Sequence, residues 1–89
     1  MDEFVENAIT ESYIESMLRN SDIVTSKAWD KCTIVTVRLP NGFVLVESSA
    51  CVDPANYDPA IGYESCMKRI RDKLWLLEGY RLQCELGAS

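Results

Sequence analysis

The chain has 89 residues, of which 14 are acidic and nine basic, giving a formal net charge of -5 with no histidine. An acidic surface repels a phosphate backbone, which argues against long nucleic acid as a partner. The lack of histidine removes the commonest general base and the commonest metal ligand.

The length implies one domain, residues 1–89, with a thin core that an oligomer would help to bury. Hydrophobic content of 47% and charged content of 26% are those of a globular protein. No apolar run approaches the ~20 residues of a membrane span. The start, Met1-Asp2-Glu3-Phe4, lacks the basic and apolar regions of a signal peptide, so a cytoplasmic location is expected. The four cysteines are Cys32, Cys51, Cys66 and Cys84. None forms a C-x-x-C pair, so they are read as small buried apolar residues, with neither zinc nor a disulfide framework.

Residues 1–31 read as a helical lead-in and a connection. Val5, Ile9, Tyr13 and Met17 recur every four positions, so 3–19 has a helical period. Thr10 and Ser12 are alternative caps, and Ser12-Tyr13-Ile14-Glu15 fits a capping box. Residues 22–31 are expected to be irregular, with Trp29 as their anchor.

Residues 32–50 read as a β-hairpin. Thr33, Ile34, Val35, Thr36 and Val37 form a β-branched run, Pro40-Asn41-Gly42 turns it, and Phe43-Val44-Leu45-Val46 resumes it. Asn-Gly between two such runs is a hairpin signal, because both residues tolerate positive φ. Arg38 and Glu47 are candidate surface positions. Apolar residues on both faces imply that both faces are covered, by helices or by a partner's hairpin.

Residues 51–58 form a loop rich in cap residues, with Asp53-Pro54 and Asp58-Pro59 as turn and helix-start pairs. Residues 59–79 form the long helix. Its apolar stripe is Tyr63, Met67, Ile70, Leu74 and Leu77, widened by Cys66, Trp75 and Leu76. Gly79 occupies a C-cap position. The tail, residues 80–89, alternates partly and reads as a short strand or an extended arm.

No catalytic constellation emerges. Asp53 and Asp58 have turn roles, and Ser48-Ser49 has no base beside it, so an enzyme is not expected. Lys68, Arg69, Arg71 and Lys73 sit one to two turns into the long helix, where several heads can converge on phosphate. The blander reading is a solvated face paired with Glu64 and Asp72. Phe43 can stack on a base or pack in the core; Trp75 is most simply core. Asn56-Tyr57-Asp58 can read a base edge or simply cap the helix.

Several short motifs match a known pattern in order and at similar spacing. They are Asn41-Gly42-Phe43, Glu47-Ser48-Ser49-Ala50-Cys51, Asn56-Tyr57-Asp58, Ile61-Gly62, Lys73-Leu74-Trp75, Leu77-Glu78-Gly79-Tyr80 and Leu82. From Ile34 to Leu82 the chain resembles a family of small tailed-phage proteins, the gene-49/gene-66 type. It departs from that pattern in the extra serine of Glu-Ser-Ser-Ala, in Tyr57 for Phe, and in Tyr63-Glu64 where the family tends to be basic.

The pattern is also similar to the type-one Thoeris anti-defence sponges, which bind a cyclic ADP-ribose signal, and in some members cyclic oligonucleotides, without cleaving it. In these an aromatic stacks on the base and helix-borne basic residues hold the phosphates. The resemblance implies those parts for Phe43, Asn56, Arg69 and Lys73.

The expectation is a small α+β domain with an N-terminal helix, an antiparallel hairpin and a long C-terminal helix, forming a homo-oligomer in the host cytoplasm. Its expected ligand is a small phosphorylated nucleotide held by Phe43, the Asn56-Tyr57 loop, Arg69 and Lys73, with no cofactor, metal or membrane partner. The alternative is an accessory protein whose acidic surface binds or inhibits a host protein.

Overall fold

A computed structural model describes residues 8–87. The helical reading of residues 3–7 and the last two tail residues lie outside the described residues. Helix α1 (Glu11–Arg19) is followed by strands β1 (Asp22–Ala28), β2 (Cys32–Arg38) and β3 (Val44–Ala50), and by helix α2 (Pro59–Leu86). The three strands form one antiparallel sheet in the order β1-β2-β3. This is the expected α+β class, with one strand more than the hairpin read from sequence.

Of the two candidate caps for α1, the structure uses Thr10, whose side chain accepts from the Tyr13 N–H at 3.1 Å. Asn20 and Ser21 then close the helix by donating from their side chains to the carbonyls of Ser16 and Met17.

The connection expected to be irregular is instead a full strand. Ile23-Val24-Thr25 is a β-branched run, and it pairs opposite Val37, Thr36 and Val35. The turn after β1 hid it, because it carries no glycine. Trp29 and Asp30 both have φ of 53°, and the Lys31 N–H donates to the Ala28 carbonyl at 3.2 Å. Two central residues at positive φ are the mark of the hairpin turn whose twist suits the strands, normally built from Asn-Gly. For a side chain such as tryptophan the left-handed backbone costs roughly 1–2 kcal/mol. Trp29 does not anchor this segment, since it is 85% exposed.

The second turn follows the rules more closely. Leu39 N–H donates to the Phe43 carbonyl and Gly42 N–H to the Leu39 carbonyl, each at 2.8 Å. Only Gly42 is left-handed, at φ 94°. Asn41 instead uses its side-chain oxygen to accept from the Phe43 N–H at 3.0 Å. The loop is therefore a three-residue connection with glycine at its left-handed position, rather than a two-residue Asn-Gly turn.

Asp58 caps α2 by accepting from the Ala60 N–H at 3.0 Å, with Pro59 as the first helical residue, as expected. Asp53 caps a short 3-10 turn, Pro54–Asn56, in the same way. The helix passes through Gly79, the expected stop, and absorbs the tail, ending only at Gly87 with φ 85°. At ~1.5 Å per residue, its 28 residues span about 42 Å. A seven-residue strand spans roughly 23 Å. The last third of α2 therefore runs beyond the sheet.

The core lies between α2, α1 and one sheet face. Val35 and Val37 of β2, Leu39 just after it, Leu45 of β3, Ile14 and Leu18 of α1, and Cys66, Met67, Ile70 and Leu74 of α2 are its buried members. Gly62 makes the close approach possible, because a Cβ there would lie 2.9 Å from the Cβ of buried Thr33. The apolar stripe read from sequence thus forms the core in its centre. Its flank does not: Trp75 is 41% and Leu76 75% exposed.

Among the described residues, no element covers the opposite sheet face. Cross-strand partners share a face, so Val24, Thr36 and Val46 stand together on it, beside Ile34 and Val44. Val46 and Val24 are exposed. Among the described residues, the expectation that both faces are covered is not met.

Candidate functional site

α2 runs antiparallel to β3, and this sets which basic side chains can meet. Arg69 and Lys73 are one turn apart and both reach over β3. Arg69 Nε lies 3.0 Å from Glu47 Oε1, and its second nitrogen donates to the Ser48 carbonyl. Lys73 Nζ lies 2.5 Å from Glu47 Oε2 and donates to the Val46 carbonyl at 3.5 Å. Glu47, expected at the surface, is instead the group between them. Its side chain is 15% exposed, against 46% for each cation. The hydrogen bond from Lys73, followed by its charge and those of Arg69, holds the Glu47 carboxyl below its ordinary value of 4.5.

The available signal for Glu47 was parity. Two residues from Leu45 on a strand, it faces the helix rather than solvent.

The other cations of the run are paired elsewhere. Lys68 bonds Asp72 at 3.2 Å, four residues on, as the solvated-face reading expects. Arg71 Nε donates to Glu15 Oε2 at 2.6 Å and ties α2 to α1; that hydrogen bond raises the guanidinium's pKa above its usual value.

Tyr57 is half-buried, and its hydroxyl shares a 2.7 Å hydrogen bond with Thr33 Oγ1. It serves as a pillar between the loop and β2. Asn56 is exposed beside it, on a shallow hollow with Ser49, Cys51, Asp58 and Ile61. Phe43 is half exposed, at 52%, but precedes the opposite end of β3. The seven residues of β3 therefore hold it roughly 20 Å from the Asn56-Tyr57 loop. Within one chain, Arg69 and Lys73 are together, Asn56 and Tyr57 are together, and Phe43 stands apart from the loop.

A separate cleft lies between α1, the β2–β3 turn and the overhanging part of α2. It encloses about 380 Å³, with Tyr13, Met17, Leu39, Pro40 and Glu78 among its walls. The Tyr13 hydroxyl donates to Glu78 Oε1 at 2.9 Å, and Arg81 Nε donates to the same oxygen at 2.8 Å. Burial, and then the Glu78 hydrogen bond, raise the Tyr13 pKa above its ordinary value of 10.0. Sequence reasoning placed nothing here, because the site joins residues far apart in the chain.

The cysteines are less uniform than expected. Cys66 is buried against β2, Cys32 and Cys51 are half-buried, and Cys84 is exposed on the overhang of α2.

The family model described as the phage protein (N4 Gp49/phage Sf6 gene 66) family matches residues 3–86. The chain belongs to this family. No curated protein and no solved structure matches it. In this gene-49/66 family member the matched region takes in the whole sheet and the described elements from α1 to Leu86, so the Arg69–Glu47–Lys73 cluster and the cleft both lie within it. No described helix is long and apolar enough to cross a membrane.

Proposed function

We propose that this phage protein works by binding rather than catalysis, and that it sequesters a small phosphorylated, nucleotide-type immune signal, counteracting host defence. The observation that carries this reading is the convergence of Arg69 and Lys73 on one carboxylate, Glu47. Two cations one turn apart on a packed helix form an anion cradle, one forked and one a point charge. In the free protein the Glu47 carboxylate occupies it. A phosphoryl group, with more charge and more acceptor oxygens, competes for the same donors.

The resemblance to anti-defence sponges supports the same side chains. Since Phe43 is half exposed and stands apart from the Asn56-Tyr57 loop, a subunit boundary is the natural place for the full set to meet.

The test is calorimetry and thermal shift against cyclic nucleotides and cyclic ADP-ribose isomers. A ligand at a hundredfold over its Kd should stabilise by ~2.7 kcal/mol and come off chemically intact. Arg69→Ala is expected to cost ~1.5–3 kcal/mol of binding. Glu47→Gln removes the competing carboxylate and should tighten binding. Absence of binding by both the natural protein and Glu47→Gln sinks the reading.

The open sheet face with Val24, Val44 and Val46 favours a second reading, in which a host protein docks there and the acidic surface steers it. A single stoichiometric host protein captured from lysate, with no nucleotide bound, would support it.

A further inference from the structure

Two features at opposite ends of the molecule are each incomplete in a single chain. At one end is Trp29. It stands on a turn whose two central residues both adopt the left-handed backbone, and it is 85% exposed. Among the described residues the ring packs in no core, although a strained turn that displays a large aromatic is characteristic of contact sites. Val52 lies close by at 91% exposed, because the Cys51 N–H is bonded to the Lys31 carbonyl just past the turn.

At the other end is the 380 Å³ cleft, whose Tyr13, Met17, Leu39 and Pro40 offer apolar walls. That volume is in the range that accepts organic groups of ring size. Glu78 Oε1 is used twice, by Tyr13 and Arg81, while Oε2 makes no hydrogen bond among the described residues.

The two features cannot meet within one chain. The β1–β2 turn and the β2–β3 turn sit at opposite ends of β2, roughly 20 Å apart.

We infer that Trp29 of one copy inserts into the Tyr13–Leu39–Glu78 cleft of a second copy. The chemistry matches part for part. The indole ring meets Met17, Leu39 and Pro40, and its N–H, which can only donate, finds the open Glu78 oxygen. Lys31 sits beside the turn, and Glu78 supplies a carboxylate to the cleft wall. The contact is head-to-tail: each copy offers a knob at one end and a socket at the other. Such contacts build rings where the rotation closes and open chains where it does not. The inference stands independently of the anion cradle at Arg69 and Lys73, which lies between the two ends.

The test uses light scattering on the full chain and two variants. Trp29→Ala keeps the socket and loses the knob. Ser16→Trp fills the socket and keeps the knob. The natural protein is expected to form species larger than a dimer, or a mass that rises with concentration. Each variant alone should lose this head-to-tail assembly, and a one-to-one mixture should recover a single heterodimer contact. Circular dichroism establishes that both variants fold. Should Ser16→Trp not fold, a Trp75→Phe background leaves Trp29 as the sole tryptophan, and its emission should shift to the blue as concentration rises. Association unchanged in Trp29→Ala, a mixture that fails to pair, or Trp29 emission that stays fully hydrated up to millimolar concentration each overturns the inference.

Discussion

Gly62→Ala probes the closest approach in the fold. A Cβ at this position would stand 2.9 Å from the Thr33 Cβ, and closer still to the Thr33 hydroxyl. Carbon atoms prefer a separation of ~3.5–4.0 Å. Thr33 is 1% exposed and bonded to the Tyr57 hydroxyl at 2.7 Å, so it cannot swing aside. The start of α2 must lift from β2 instead.

Overpacking of this kind costs ~1–3 kcal/mol, and a strained Thr33–Tyr57 bond adds ~1 kcal/mol. The better helix propensity of alanine returns up to ~1 kcal/mol. The net expectation is a loss of about 2 kcal/mol, equivalent to ~8–16 °C in Tm for a domain this small. Urea unfolding at one fixed protein concentration measures it, with the slope unchanged.

Gly79→Ala is the internal control. It lies in the same helix with no atom within 4 Å of a built Cβ, and α2 runs straight through it. There alanine should stabilise by ~0.5–1 kcal/mol. Equal effects at the two glycines would refute the close-approach argument.

Three further outcomes are expected. Leu74→Ala, at a fully buried position in the main core, should cost ~2–5 kcal/mol in urea unfolding. Glu47 has a folded pKa below its ordinary 4.5, so its pairing stabilises fully above that pH and is lost as pH falls through the folded value; the stability difference between the natural protein and Glu47→Gln should accordingly vanish in acid. Under native conditions a thiol reagent should label exposed Cys84 fastest and buried Cys66 only on unfolding, and labelling of Cys66 at the rate of Cys84 would contradict the packing of α2 on β2.

Where local chemistry and final structure agree, the fold was legible in the sequence. Asp58-Pro59 starts α2 as read, and Met67, Ile70 and Leu74 form its buried seam. The β-branched runs on either side of Pro40-Asn41-Gly42 are strands. β1 was missed because its turn uses Trp29-Asp30, residues that local rules place elsewhere. The end of α2 was missed because Gly79 looks like a stop, although a helix interior tolerates glycine at a cost of ~1 kcal/mol. The partial alternation of Tyr80, Leu82 and Cys84 is helical: Leu82 is buried and Tyr80 exposed.

Of the candidate site, the pairing of Arg69 with Lys73 was legible because four-residue spacing puts two heads on one helix face. Their carboxylate partner was not, because it comes from a strand 22 residues away whose register the sequence does not state.

The two turns of the sheet make a comparison within one molecule. The β2–β3 turn meets its backbone demand with Gly42 and the Asn41 side chain, and its Leu39 is buried in the core. Everything it needs is supplied by the chain itself. The β1–β2 turn does the reverse. It places tryptophan and aspartate where glycine or asparagine is favoured, and leaves the indole in solvent. Folding alone would favour Asn-Gly there, by an amount comparable to one hydrogen bond. On the inference drawn above, the compensating interaction is the contact with a second copy. The same reasoning applies to Glu47. A carboxylate on the helix-facing side of β3 costs desolvation, and here it is repaid only because two cations reach it. Both sites break a local rule at the surface rather than in the core. They are the sites of the two proposals above: one in which a copy of the chain completes an aromatic contact, the other in which an anion replaces the carboxylate.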